Sequence, residues 1–180
     1  MARRPTLALA LVLSVIGGMA DRSARADDVD QTIDRPIIAL EGRIGYGMAF
    51  GGGAGVSVER WSPVTFSALV DHAVVTDPWT SVFVGVAVEG HGRGAAGAIA
   101  GLRVRPTSSQ LRLAGGGALM VFPATAFGPL ASVGTCIAMA TALDVCGDLE
   151  ATVFVVGSDI PDERIAGQIQ LVIGVGFDAW

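Results

Sequence analysis

From Ile165 to the last residues, the chain alternates in twos. Ile165, Gly167, Ile169, Leu171, Ile173, Val175 and Phe177 fall on one face, and Ala166, Gln168, Gln170, Val172, Gly174, Gly176 and Asp178 on the other. Successive side chains of a strand point to opposite faces, whereas a helix would mix the two sets. The split recurs upstream. Val82, Val84, Val86 and Val88 oppose Phe83, Gly85, Ala87 and Glu89, and Val64, Phe66, Ala68 and Val70 oppose Thr65, Ser67, Leu69 and Asp71. Ala96, Ala98, Ala100, Leu102 and Val104 oppose Gly97, Gly101, Arg103 and Arg105; Leu143, Val145, Leu149, Ala151, Val153 and Val155 oppose Asp144, Asp148, Glu150 and Thr152. Breaks rich in Gly, Pro, Ser and Asp separate the runs: Ser62-Pro63, Thr76-Asp77-Pro78, His91 to Gly94, Pro106 to Ser108, Pro123 to Gly128 and Gly157 to Glu163. Consecutive antiparallel hairpins follow from this spacing.

The wet face decides the class. A soluble barrel turns its apolar side chains inward; a membrane barrel turns them toward lipid and lines a narrow interior with small and polar residues. One face here is built of Val, Leu, Ile and Ala. The other mixes Gly, Ala and Ser with Glu41, Arg43, Glu59, Asp71, Glu89, Arg103, Arg105, Arg112, Asp144, Asp148 and Glu150. The chain has 25 Gly, 51% apolar residues and 16% charged residues, and its basic residues are all Arg, with no Lys and no Asn. A soluble exterior is seldom so rich in Gly and Ala, whereas a small barrel has an interior that needs them. Runs of ~10 to 13 residues also match the ~9–11 that cross a bilayer at a tilt. The expected fold is therefore an all-β, antiparallel, up-and-down transmembrane β-barrel. Nine segments, near 37–49, 53–60, 64–75, 80–90, 95–105, 109–122, 129–139, 142–156 and 165–178, conflict with the even strand number of bacterial barrels. Eight strands is the expectation, ten the fallback, and the first two segments are the least secure because of Gly51-Gly52-Gly53.

The first residues read as an address. Arg3 and Arg4 precede an uncharged apolar run from Leu7 to Gly18, and Ala24-Arg25-Ala26 offers a small-x-small cleavage pattern. This predicts a signal peptide over 1–26 and a mature start at Asp27, with a cut at Ala20 less favoured. The run is shorter than the ~20 residues of a spanning helix, and no Cys near the cut indicates a lipoprotein. Cleavage would remove Arg3, Arg4, Arg22, Arg25 and Asp21, leaving 8 Arg against 16 acids. Residues 27–36 then form an acidic lead-in and 37–180 the barrel. With a pI near 4.8 and no basic cluster, nucleic acid is not an expected partner. The absence of Lys excludes Lys-dependent phosphate loops and Schiff-base chemistry.

In pattern, residues 37 to 180 resemble the small outer-membrane β-barrel proteins of Gram-negative bacteria, the OmpA-type and OmpX-type eight-stranded domains. The resemblance implies insertion by the outer-membrane assembly machinery, which reads a final strand of alternating apolar residues with a terminal aromatic. Ile169, Leu171, Ile173, Val175 and Phe177 fit that signal, while Trp180 follows out of phase, either beyond the effective end or as an interface anchor.

Cys136 and Cys146 are the most specific pair. A turn centred on Thr141 sets them opposite each other, phase points both inward, and export implies an oxidising compartment, so a cross-strand disulfide is expected. Shared phase also predicts a salt-bridged plug in which Arg103, Arg105 and Arg112 face Glu89, Asp144, Asp148 and Glu150, against the plainer alternative of exposed strand ends. Other motifs carry less. Gly92 to Gly97 matches G-x-G-x-x-G formally, but no acid lies between Gly90 and Leu143 to hold a ribose and the following residues alternate, so a tight hairpin turn is the simpler account. His72 and His91 lack metal-ligand neighbours at i+3 or i+4. Ser57 and Ser158 lack a nucleophile elbow, and alternation explains Asp144 with Asp148. No catalytic, cofactor-binding or metal residue is expected, and the chain is not expected to be an enzyme.

The expected function is a small outer-membrane barrel with a structural or surface-interaction role and little or no conductance, its partners being outer-membrane lipid and the assembly machinery. No external partner is legible. Its surface loops read as short, Gly157–Glu163 being the longest with charge. The alternative is a soluble exported β-barrel that turns its Val/Leu/Ile face inward around a lipid or other apolar ligand. A helical membrane protein, resting on the uncharged stretch Leu113 to Leu143, is opposed by Gly115-Gly116-Gly117, Pro123 and Pro129.

Overall fold

The computed structural model describes residues 38–53, 56–76, 78–90, 94–106, 110–158, 160 and 165–178. The predicted signal peptide, the acidic lead-in, His91, Arg93 and Trp180 lie outside them. Eight strands run in chain order: β1 Ile38–Gly53, β2 Val56–Thr76, β3 Trp79–Glu89, β4 Ala95–Arg105, β5 Leu111–Phe122, β6 Ala126–Ala140, β7 Leu143–Phe154 and β8 Ile165–Asp178. Each pairs antiparallel with the next, and β8 closes on β1. Closure leaves no long open edge, which is how a sheet satisfies its backbone donors and acceptors without water. No helix among the described residues is long and apolar enough to cross a membrane, and Leu113 to Leu143 runs through β5, β6 and the turns after each to the first residue of β7.

Nine segments become eight at Ser62-Pro63. The sequence reads this dipeptide as a break, yet β2 runs through it. Tyr46 pairs with Val64 and Met48 with Trp61, so Ser62 and Pro63 together face Gly47 where the register shifts. Proline has no N–H to give to a ladder, and a bulge is where a strand can accept it. Segments 53–60 and 64–75 are thereby one strand, and β1 continues through Gly51-Gly52-Gly53 beside it. Elsewhere the boundaries fall close to the expected ones, except that β6 starts at Ala126, inside the Pro123–Gly128 break, and β7 stops at Phe154.

The ladders fix the stagger. Crossing from Ala39 to Asp71, Phe83, Gly101, Gly116, Leu130, Thr152 and Gln168 returns to β1 at Ala49, ten residues further along. Such an offset forces the strands to lean by about 35–45°. The eleven residues of β3, at ~3.3 Å each and a ~40° lean, span about 28 Å along the axis. That height suits the ~25 Å apolar band of an outer-membrane barrel.

The two faces separate as the alternation requires, and the apolar set points out. Leu40, Ile44, Phe66, Val82, Val84, Val86, Val88, Leu102, Leu113, Leu149, Ile169, Leu171 and Ile173 are all exposed. Their opposite-phase neighbours, including Glu41, Arg43, Asp71, Glu89, Arg103, Arg112 and Asp148, are buried inside. This geometry overturns the alternative in which the Val/Leu/Ile face encloses a ligand: that face surrounds the barrel. A smaller apolar cluster does sit within the lumen, formed by Leu69, Phe83, Ala87, Ile99, Ala118, Met120, Leu130 and Phe154.

Candidate functional site: an ion-paired lumen

The lumen near the strand ends at Ile38 and Asp178 is filled by charge. Arg112 on β5 is its centre, 1% exposed. Its Nε donates to Asp148 Oδ1 at 2.6 Å and Nη2 to Asp148 Oδ2; the same guanidinium donates to Glu41 through Nη1 at 3.2 Å and Nη2 at 2.7 Å. A planar guanidinium with five donors is suited to bridging two carboxylates in this way. Arg103 on β4 lies 2.5 Å from Asp71 Oδ2 and 2.9 Å from Glu41 Oε2, and Ser81 donates to the other Asp71 oxygen at 2.9 Å. Arg43 pairs with Glu150 and lies 3.9 Å from Glu41 and 4.0 Å from Asp148. Six of the eight strands thus contribute a polar or charged side chain to one connected network.

The other two strands contribute space. A Cβ at Gly134 on β6 would strike Asp148 Oδ1, and one at Gly174 on β8 would strike Glu41 Oε1. Glycine at these inward positions lets carboxylates lie against the wall. Aromatic rings complete the packing: Arg103 sits over Phe83 at 5.4 Å from the ring centre, and Arg105 over Trp79 at 4.8 Å, distances at which a guanidinium is attracted to a ring face.

The predicted plug residues divide three ways. Arg103, Arg112, Asp148 and Glu150 belong to the central network. Arg105 and Asp144 form a separate, partly exposed pair at 3.5 Å. Glu89 lies toward the opposite end of the barrel and accepts from Gln168 Nε2 at 3.0 Å. Three members absent from the predicted plug, Glu41, Arg43 and Asp71, are central to it. Their phase already put them on the inward face; only the ladder stagger shows that β1 and β2 deliver them to the level of Arg103 and Arg112.

Near the same end, Cys136 pairs with Cys146 in the β6–β7 ladder and the two form a disulfide. The Thr141-Ala142 turn brings them into register. Ile169, Leu171, Ile173, Val175 and Phe177 all face outward on β8. Among the described residues no group of His, Cys, Asp and Glu could hold a metal ion, and His72 is an exposed residue of β2. Gly94 takes φ +65° where the chain enters β4, a left-handed conformation that glycine adopts without steric cost. The rest of the G-x-G-x-x-G match, Ala95 to Gly97, is strand, with no helix to receive a phosphate.

No protein-family model matches the chain, and no curated protein matches it by sequence. Solved structures do match. Neisserial surface protein A (NspA), an eight-stranded outer-membrane barrel, superimposes with a TM-score of 0.52 at 11% identity, covering 79% of this chain and 97% of that one. Ail, the attachment invasion locus protein of Yersinia pestis, gives a TM-score of 0.47 at 16% identity, covering 77% of this chain and 98% of that one. The ladders and the NspA likeness agree on one fold, the closed eight-stranded antiparallel barrel of outer-membrane type.

Proposed function

We propose that this chain is a small outer-membrane β-barrel with a structural or surface-interaction role and little or no conductance. One observation carries the reading: large apolar side chains stay exposed on all eight strands while the ion pairs are buried inside. In water that arrangement leaves an apolar patch far beyond what a soluble monomer tolerates; in a bilayer it is the expected outer surface. Its partners in this reading are outer-membrane lipid and the assembly machinery, the latter through Ile169, Leu171, Ile173, Val175 and Phe177, with export by cleavage of residues 1–26. Low conductance follows from Arg112, Asp148, Glu41 and Arg103 meeting across the lumen. The reading is non-enzymatic. The name of NspA, a surface protein of the same fold, supports a surface role.

The test is to refold the purified chain into detergent and run it unboiled and boiled on a gel, with far-UV circular dichroism of the same sample. A β spectrum with faster migration before boiling, and a silent planar bilayer, are the expected results. A β protein that stays monomeric without detergent would overturn the membrane reading; discrete ohmic channels would overturn the plug.

A further inference from the structure

Membrane-barrel lumens are polar, yet part of this one is apolar. The inward cluster that includes Leu69, Phe83, Ile99 and Leu130 continues into Met120 and Phe154. Beyond those two, toward the barrel end away from Ile38, the lumen is not filled. A cavity of about 320 Å³ lies there, walled by Met120 and Phe154, by Ala95, Ala126 and Ala166, and by Ile160 from the β7–β8 connection. Inward side chains shrink to alanine on three strands at once, and alanines cannot meet across the lumen as the arginines do below. The volume is roughly double the ~150 Å³ at which an apolar cavity stays dry and takes up benzene. It falls within the ~300–1,000 Å³ of small-molecule sites.

Its polar groups are committed to one another. Among the described residues, Glu89 and Gln168 are the lining residues with polar side chains. Gln168 Nε2 donates to Glu89 Oε2 at 3.0 Å, Gln170 Nε2 to Gln168 Oε1 at 3.3 Å and Thr65 Oγ1 to Gln170 Oε1 at 3.0 Å. Glu89 holds a further interaction besides. The polar wall is thus bonded within the protein, and the contact left for an occupant is that of methionine, phenylalanine, isoleucine and alanine. The two connections that supply part of the wall are also tied together. Pro123 and Ala124 line the cavity just before Thr125; Thr125 N donates to Ser158 Oγ at 3.0 Å, and Ser158 N donates back to Thr125 Oγ1 at 3.0 Å. Ile160, two residues on, donates its N–H to Gly157 O at 3.2 Å and packs against the apolar cluster. Walls fixed by their own hydrogen bonds need little ordering when a ligand binds.

We propose that this cavity binds a small, neutral, hydrocarbon-like molecule of about the bulk of two fused rings, held by contact with Met120, Phe154 and Ile160 and by no charged anchor. The Val/Leu/Ile face stays outward; the site belongs to the inward set. The inference goes beyond the membrane reading and does not rest on it, because the cavity is inside the barrel whatever surrounds the outside.

Met120 and Met139 make the test internal. Met120 lines the cavity, whereas Met139 is 65% exposed on the outer face. The chain, methyl-labelled at methionine, would be titrated in lipid nanodiscs with naphthalene, naphthalene-2-carboxylate and 2-naphthylmethylammonium. The same titration runs in buffer if the barrel needs no lipid, which keeps a failure of this inference distinct from a failure of the membrane reading. The expected result is a saturable Met120 shift with naphthalene, and affinities at least about tenfold weaker for both charged analogues, whose desolvated charge the walls do not compensate. Ala126→Phe fills the cavity and abolishes the response. Ile160→Ala, on a connection and not on a strand, weakens naphthalene about fivefold and serves alone if the larger variant does not fold. A Met120 shift that never saturates and tracks Met139 means partition into lipid only and overturns the proposal. So does an affinity for either charged analogue equal to that for naphthalene, or indifference to Ile160→Ala.

Discussion

At the lumen end nearest Ile38, Arg112 reaches across to Glu41 and Asp148; at the opposite end Ala95, Ala126 and Ala166 leave a cavity of about 320 Å³. Both ends are enclosed by the same eight strands at the same stagger, so the difference lies in side-chain reach. Long guanidinium arms fill a narrow barrel from its walls, and Gly134 and Gly174 leave room for the carboxylates they pair with. Short side chains at the same inward phase cannot, and the space stays open. Filling with charge also constrains more. Each buried carboxylate costs several kcal/mol to desolvate and is tolerable only while its partner is in place. The alanine walls of the cavity carry no such interdependence. One half of the interior is therefore expected to be intolerant of change and the other permissive.

The sharpest way to break this contrast is Arg112→Met. It leaves Asp148 buried without the guanidinium that holds both its oxygens and Glu41 with Arg103 as its one close cation, and a loss of about 3–5 kcal/mol is expected in urea unfolding of the lipid-inserted barrel. Adding Glu41→Gln and Asp148→Asn should restore much of it, because the penalty belongs to uncompensated charge and not to the missing side chain. A loss below about 1 kcal/mol for the single variant would mean that water reaches the network.

Next in size is the disulfide at the same end. Cys136→Ala with Cys146→Ala, residues 10 apart in sequence, should cost about 2–3 kcal/mol by loop-closure entropy. The β6–β7 ladder already holds the hairpin in register, so a value at the low end is expected from the same denaturation curves.

Smaller still is Thr65→Val in the polar side chains leading to the cavity. It removes the donor to Gln170 and should cost about 1 kcal/mol in the same denaturation curves. Smallest is Ala126→Val. Its added methyls enter open space, and a change within about 1 kcal/mol of zero is expected. If Ala126→Val cost as much as Arg112→Met, the two halves would not differ as their packing implies.

Much of this was legible in the residues. Period-two alternation gave the strands, and the composition of the two faces gave the inverted barrel, because a membrane and water demand opposite exteriors. The inward phase of Cys136 and Cys146, with the short turn between them, was enough to pair them. Ser62-Pro63 misled because a Ser-Pro dipeptide signals a turn and a bulge equally well, and only the partner strand distinguishes them. Glu41, Arg43 and Asp71 were recognisable as inward-facing but not as partners of Arg103 and Arg112, since phase says which way a side chain points and nothing about its height in the barrel.

By itself, the sequence determined that this chain alternates, which face is apolar and which side chains turn inward, all properties of one strand and its neighbours along the chain. Only the tertiary structure decided the strand number, the ten-residue stagger and hence which inward residues meet. Those depend on closure: β8 must find β1 at a definite offset, and that offset slides every wall of the lumen to the height at which Arg112 faces Asp148 and Ala126 faces empty space.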